Sequence, residues 1–192
     1  ACAPNSYRGV HRGAEAQQGY AEEVAAVIDG LAASGKPAAA YIAEPVFGNA
    51  GGVMLPEGYL VAAYAATRRH GGLCIADEVQ VGYGRLGHRW WGHEDQGVVP
   101  DMITIAKAMG NGHPLGAVIT TRAIADAFSA QGSFFSSAGG SPVSCVAALA
   151  VLDAIRDEGL QANAALVGDH VQARCRDLMA RHPLIGAVHG MG

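Results

Sequence analysis

The sequence predicts an α/β fold in three layers, a mostly parallel sheet with helices on both faces. Three observations predict it. Short, continuous apolar runs of strand length recur along the chain. Between them lie stretches whose apolar residues repeat at helical spacing. Gly and Pro punctuate the joins. Strands that are apolar throughout suit a sheet buried on both faces by helices, the arrangement that parallel strands require.

The elements follow in order. Residues 1–13 read as an extended lead-in broken by Pro and Gly. Tyr20, Val24, Val27, Ile28 and Leu31 then recur at helical spacing, and Gly35-Lys36-Pro37 ends that helix. Residues 38–43 form an apolar run of strand length. Residues 57–70 form a second helix with Leu60, Ala63 and Tyr64 on one stripe and Gly71-Gly72 as its stop. Residues 73–76, 102–106 and 117–120 are further buried strands. A short helix runs to about Phe128. After a loop rich in Gly and Ser come two long helices, 142–157 and 160–182. The apolar run 184–188, before Gly190-Met191-Gly192, reads as a strand or turn leading onward. Both ends read as those of a segment of a longer protein, and no internal repeat is present.

Composition narrows the function classes. Half of the 192 residues are hydrophobic and 16% are charged, which excludes a disordered chain. The net charge of −4, spread without a basic run, predicts no nucleic-acid or anionic-membrane partner. No apolar stretch reaches the roughly 18 to 20 residues of a membrane span, and the first residues lack a signal-peptide core. Cys2, Cys74, Cys145 and Cys175 are scattered without ligand-like spacing. They predict buried, reduced thiols in a cytoplasmic protein, and no metal site.

In a parallel sheet, ligands collect at the carboxyl ends of strands. Glu44, Asp77 and Lys107 each follow a strand there. Lys107 comes after five mostly apolar residues and before Ala-Met-Gly-Asn-Gly, which predicts a buried amine. Burial lowers an amine's pKa, and only the neutral amine attacks an aldehyde to form a Schiff base. The alternative is a lysine that emerges at a strand end and reaches water. Asp77 adds a carboxylate able to pair with a protonated pyridine nitrogen and hold it cationic. An apolar strand ending in Asp77-Glu78 also suits a magnesium site, but the phosphate loop that would accompany one is absent from this sequence. Gly82-Tyr83-Gly84-Arg85-Leu86-Gly87 matches GxGxxG in letters only. It neither follows a strand at once nor opens a helix. A Gly-rich turn, with Arg85 toward anions, is the better reading. His88, His93 and His113 have no metal-ligand spacing and read as structural or surface residues. Trp90-Trp91 suits either a substrate entrance or a subunit interface. The charges of the last helix, Asp169, Arg174, Arg176, Asp177 and Arg181, read as a solvated face.

The stretches IADEVQVGYGRLG, PDMITIAKAMGNGHPLGAV and SSAGGSPVSC occur in that order, with Lys107 about 30 residues after the Asp-Glu-x-Gln and the Gly-Gly-x-Pro turn about 30 residues after Lys107. Together they resemble the class III aminotransferases of fold type I, which depend on pyridoxal 5′-phosphate. GNGHPLGAV and GGSPVSC resemble the subgroup of alanine–glyoxylate aminotransferase 2-like proteins and ethanolamine-phosphate phospholyases. The resemblance implies that residues 1–182 are part of the cofactor-binding large domain and that 183–192 begin a small C-terminal domain. It implies that Lys107 carries the cofactor as a Schiff base and shuttles the substrate proton. Asp77 would bind the pyridine nitrogen and Gln80 the 3-hydroxyl side. Val79 would pack on a ring face; a plain core valine is the alternative. Ser137 stands where the family has threonine and would reach the cofactor phosphate of the neighbouring subunit in a homodimer. Glu44 matches a glutamate near cofactor and substrate; a capping carboxylate is the alternative. Asn49 departs from the glutamate found in many members, which gates an arginine for the substrate carboxylate. An amide cannot form that ion pair. The implied activity is aminotransfer from an amine or amino acid to a keto acid. The alternatives are a phospholyase acting on phosphorylated amino alcohols, and an incomplete segment with a structural or dimerisation role.

Overall fold

The computed structural model describes residues 1–132 and 134–192. Helix α1 (Ala16–Ala33) buries Ala16, Tyr20, Val24 and Ile28. Val27 and Leu31, expected on the same stripe, remain 42% and 44% exposed. The apolar arc of α1 is wider than its contact, and these two residues lie at its edge. Helix α2 (Tyr59–Arg69) buries Tyr59, Leu60, Ala63, Tyr64, Ala66 and Thr67. The two helices pack together around these residues. The fully buried Thr67 hydroxyl donates to the Ala63 carbonyl at 2.8 Å, so no polar atom is stranded there. At the rim, Asp29 of α1 takes Arg69 at 2.7 Å and His70 at 2.7 Å.

Strands β1 (Ala40–Ala43), β4 (Leu73–Asp77), β5 (Met102–Ile105) and β6 (Ala117–Thr120) form one sheet in the order β1-β4-β5-β6. The first three are parallel, and β6 runs antiparallel to β5. The sheet is therefore mixed and mostly parallel, as the sequence predicts. Between β1 and β4, β2 (Val46–Phe47) and β3 (Val53–Met54) make a small antiparallel hairpin. Two-residue strands carry too few side chains for periodicity to show, so the sequence does not predict it.

Side chains alternate between the two faces of a strand. Tyr41 and Cys74, paired in register, pack against α1 and α2. Ile42, Ile75, Asp77 and Val118 therefore share the other face. Ile42 and Val118 are 58% and 59% exposed there, so the third layer is incomplete over these strands.

Beyond the sheet come α3 (Arg122–Ala130), α4 (Pro142–Asp157) and α5 (Leu160–Arg181). The Thr121 hydroxyl accepts from Ile124 N to cap α3. Pro142 begins α4, where its missing N–H is not needed. Gly87 touches α5 so closely that a Cβ there would stand 2.5 Å from Ala165 N. The glycine at the end of the GxGxxG-like run thus serves helix packing. Residues 183–192 form a turn and irregular chain rather than a strand. Cys74 is buried, but Cys2 and Cys145 are exposed and Cys175 is half-buried, so burial holds fully for Cys74 alone. Cys145 lies on the outward face of α4, beside exposed Val146 and Leu149. Among the described residues no helix is long and apolar enough to cross a membrane, and no His/Cys/Asp/Glu cluster could hold a metal.

Candidate active site

The site starts from register. Asp77 is the last residue of β4 and pairs with Thr104 of β5. Lys107 stands three residues beyond Thr104. Two parallel strands thus deliver a carboxylate and an amine to neighbouring points on the carboxyl edge of the sheet, where α/β folds bind ligands.

Lys107 opens a single 3-10 turn, Lys107–Met109, at φ +43°. A side-chain-bearing residue in the left-handed region is strained, and such strain gathers at functional positions. Asn111 at φ +44° and Tyr83 at φ +63° are the other non-glycine cases among the described residues. The Lys107 side chain is exposed, which corrects the expectation of a buried amine. The 3-10 turn carries it past the end of β5, away from the packed strands. Among the described residues it makes no salt bridge.

Asp77 is half-buried. Its Oδ1 accepts from Val79 N at 3.1 Å, while Oδ2 has no donor among the described residues. A fixed carboxylate with one open acceptor suits a pyridinium N–H, and an unpaired lysine amine suits an aldehyde. The residues present therefore fit pyridoxal phosphate at its ring nitrogen and its carbonyl carbon.

The next residue points the other way. Glu78 is buried, and its Oε2 accepts from Gly92 N at 2.8 Å. Its Oε1 accepts from His93 N at 2.9 Å and lies 2.8 Å from His93 Nδ1. A carboxylate only accepts, so Nδ1 carries the proton. This clamp holds the segment after Tyr83 beneath the Asp77 turn. Trp91 then lies against Gly82, with Tyr83 and Trp90 both meeting its ring edge-on. Sequence reading missed Glu78 and His93 as a pair. The available signal was alternation: the residue after an outward Asp77 faces the core, and a core carboxylate needs donors.

Glu44 follows β1 and is half-buried. Its Oε2 accepts from Gly48 N at 3.0 Å, so it does cap its own turn. Its Oε1 also takes Asn49 Nδ2 at 3.3 Å, and Asn49 Oδ1 takes Gln80 Nε2 at 3.1 Å. Hydrogen bonds thus join Glu44, Asn49 and Gln80, with Val79 half-buried between Gln80 and Asp77. Ser137 is not brought in: it lies exposed in the loop between α3 and α4. His88 pairs with Asp169 of α5 at 3.1 Å, and His113 bonds Ser144 of α4 at 2.9 Å. The first pair lies at the surface, and the second ties the turn after Lys107 to α4. Arg85 is exposed and lines an open cleft of about 360 Å³ with Tyr83, Asn111 and Gln161.

The sequence profile described as aminotransferase class-III matches residues 3–192. A Drosophila melanogaster protein named alanine–glyoxylate aminotransferase 2-like is 47% identical over 174 residues, 90% of this chain and 35% of that protein. The structure of an Arthrobacter phospholyase in complex with phosphoethanolamine superposes with TM-score 0.88 at 38% identity, covering 92% of this chain and 42% of the other. An amine transaminase from an uncultivated Pseudomonas species, solved in its PLP-bound form, superposes with TM-score 0.85 at 36% identity, covering 98% and 44%. The chain spans less than half the length of each of these proteins.

Proposed function

This chain belongs to the class-III aminotransferase family, and from that premise we propose that it is the cofactor-binding segment of a longer pyridoxal-phosphate enzyme that moves an amino group from an amine or amino acid to a keto acid. The observation that carries the reading is the register of Asp77 with Thr104, which sets Asp77 and Lys107 on adjacent strand ends. Bound pyridoxal phosphate would supply a carbonyl for the amine and a cationic ring that withdraws electrons from the substrate carbon. Lys107 would hold the cofactor through its amine and carry the proton at that carbon. Asp77 Oδ2 would accept the ring N–H and keep that nitrogen protonated. Gln80 would donate to the ring's 3-oxygen, and Val79 would close one ring face. Ser137 would offer its hydroxyl to the cofactor phosphate of a neighbouring subunit, as part of a homodimer. Exposed free thiols at Cys2 and Cys145 suit a reducing compartment, so we place the enzyme in the cytoplasm.

A second reading has a specific support, the fold match to a phospholyase that holds phosphoethanolamine. Both reactions begin by labilising the bond to a substrate proton and differ in whether phosphate then leaves. The complete enzyme, given O-phosphoethanolamine without a keto acid, separates them. Conversion of the cofactor to its amine form by an amino donor supports aminotransfer. Stoichiometric release of inorganic phosphate and ammonia supports the lyase. Phosphate release without any conversion of the cofactor to its amine form would overturn the aminotransfer reading in favour of the lyase.

A further inference from the structure

We propose that Glu44 and Asn49 are positioning residues that fix which end of the Gln80 amide faces the cofactor, an inference that rests on the reading of Gln80 given above. An amide has an accepting end and a donating end, and a side chain free to turn offers either. The Glu44 carboxylate can only accept. It is itself held, because Oε2 takes Gly48 N at 3.0 Å. No side chain intervenes there: a Cβ on Gly48 would stand 3.1 Å from Glu44 Oε2 and 3.8 Å from Gln80 Cβ. Since Glu44 Oε1 must accept, Asn49 turns its Nδ2 toward it, at 3.3 Å. That leaves Asn49 Oδ1 facing Gln80, which must answer with Nε2, at 3.1 Å. A carboxylate at one end of the chain thereby sets the sense of two amides. Gln80 Nε2 keeps a second N–H, and that donor is the one a ring 3-oxygen requires.

The arrangement gives the residue at position 49 a task that a glutamate could not share. A glutamate there would face Glu44 with like charge, whereas asparagine donates to Glu44 and accepts from Gln80 at once. Glu44 is the one charged group that the hydrogen bonds of the relay reach among the described residues, and Asp77 and Lys107 are the titratable groups that the proposed reading sets at the cofactor itself. Asn49 is exposed, so its bonds add little to folding stability, and their effect is read at the cofactor.

The test uses the complete enzyme loaded with pyridoxal phosphate and follows the pH at which the visible band of the bound cofactor titrates. A donor fixed on the 3-oxygen stabilises its anionic form and holds that midpoint down. Asn49→Ala is expected to raise the midpoint by about one pH unit and to weaken cofactor retention several-fold, with Tm unchanged. Glu44→Gln, which removes the polarity but keeps the shape, shifts the midpoint the same way. The double variant shifts no further than Asn49→Ala alone, because the residues act in series. An unmoved midpoint in Asn49→Ala, or additive shifts in the double variant, overturns the relay while leaving the cofactor assignment intact. A wild-type enzyme that shows no cofactor band overturns the relay and the functional reading together.

Discussion

Glu78 Oε1 lies 2.8 Å from His93 Nδ1, with the glutamate side chain fully shielded from solvent and the histidine nearly so. The same carboxylate takes the backbone N–H groups of Gly92 and His93, so all three donors converge on one buried anion. It joins the residue next to Asp77 to a loop that is distant in sequence. Glu78→Ala leaves those donors without an acceptor and is expected to cost about 3 kcal/mol. Urea denaturation of the wild type and the variant measures it. A loss below 1 kcal/mol would mean that water reaches the clamp and replaces the carboxylate.

The link between α1 and α2 carries a pH dependence. Hydrogen bonds from Arg69, then from His70, hold the Asp29 carboxyl below its ordinary range. A carboxylate whose folded pKa is depressed contributes stability above its unfolded pKa, and that contribution is lost as pH falls through the folded value. Asp29→Asn is expected to lower Tm at pH 7 modestly, since the pair is exposed. The difference from wild type should shrink below about pH 4 and vanish in stronger acid. Thermal melts across that range give the comparison, and a difference constant with pH would refute the assignment.

Three of the four thiols should separate by reactivity. Burial pushes the Cys74 thiol up to about 11, and its Sγ lies 3.8 Å from the Tyr64 carbonyl. Cys145 is exposed. Cys2 is exposed too, but its hydrogen bond with Glu23 raises its pKa. Timed alkylation at pH 8 with peptide mapping should therefore label Cys145 first, Cys2 more slowly, and Cys74 only after unfolding. Early labelling of Cys74 would show that the α2–β4 contact opens in the native state.

Leu60 is 1% exposed at the centre of the α1–α2 contact. Leu60→Ala is expected to cost about 2 to 5 kcal/mol through the lost burial and the cavity left behind. Val61, its neighbour on the outer side, is 50% exposed. Val61→Ala should change stability by less than about 0.5 kcal/mol. Denaturant midpoints for the two variants test which face is inside.

Much of this was legible in the sequence because it rests on local pattern. The β4 and β5 runs, the stripe of Leu60, Ala63 and Tyr64, and the turn glycines each follow from spacing along one element. Asp77 and Lys107 could be singled out because a strand end is a position that sequence reveals. Other features depend on where distant segments meet. The Glu78–His93 clamp needs the loop to fold back under β4. The Glu44–Asn49–Gln80 chain needs the β2–β3 hairpin, whose strands are too short to show a period. The exposure of Lys107 depends on the 3-10 turn that follows β5, which no apolar pattern marks. Val27 and Leu31 show that helical spacing marks a face that can be buried, while the partner decides how much of it is.

If Lys107 carries the cofactor, a second lysine of the same chain serves as its control. The chain holds two lysines, Lys107 and the exposed Lys36 at the end of α1. Borohydride reduction of the complete enzyme with pyridoxal phosphate, followed by peptide mass mapping, reads which amine was joined. The pyridoxyl mass is expected on the peptide containing Lys107 and absent from the peptide containing Lys36, with the label lost in Lys107→Ala. A label on Lys36, or an enzyme reduced in the presence of the cofactor with Lys107 unmodified, would contradict it.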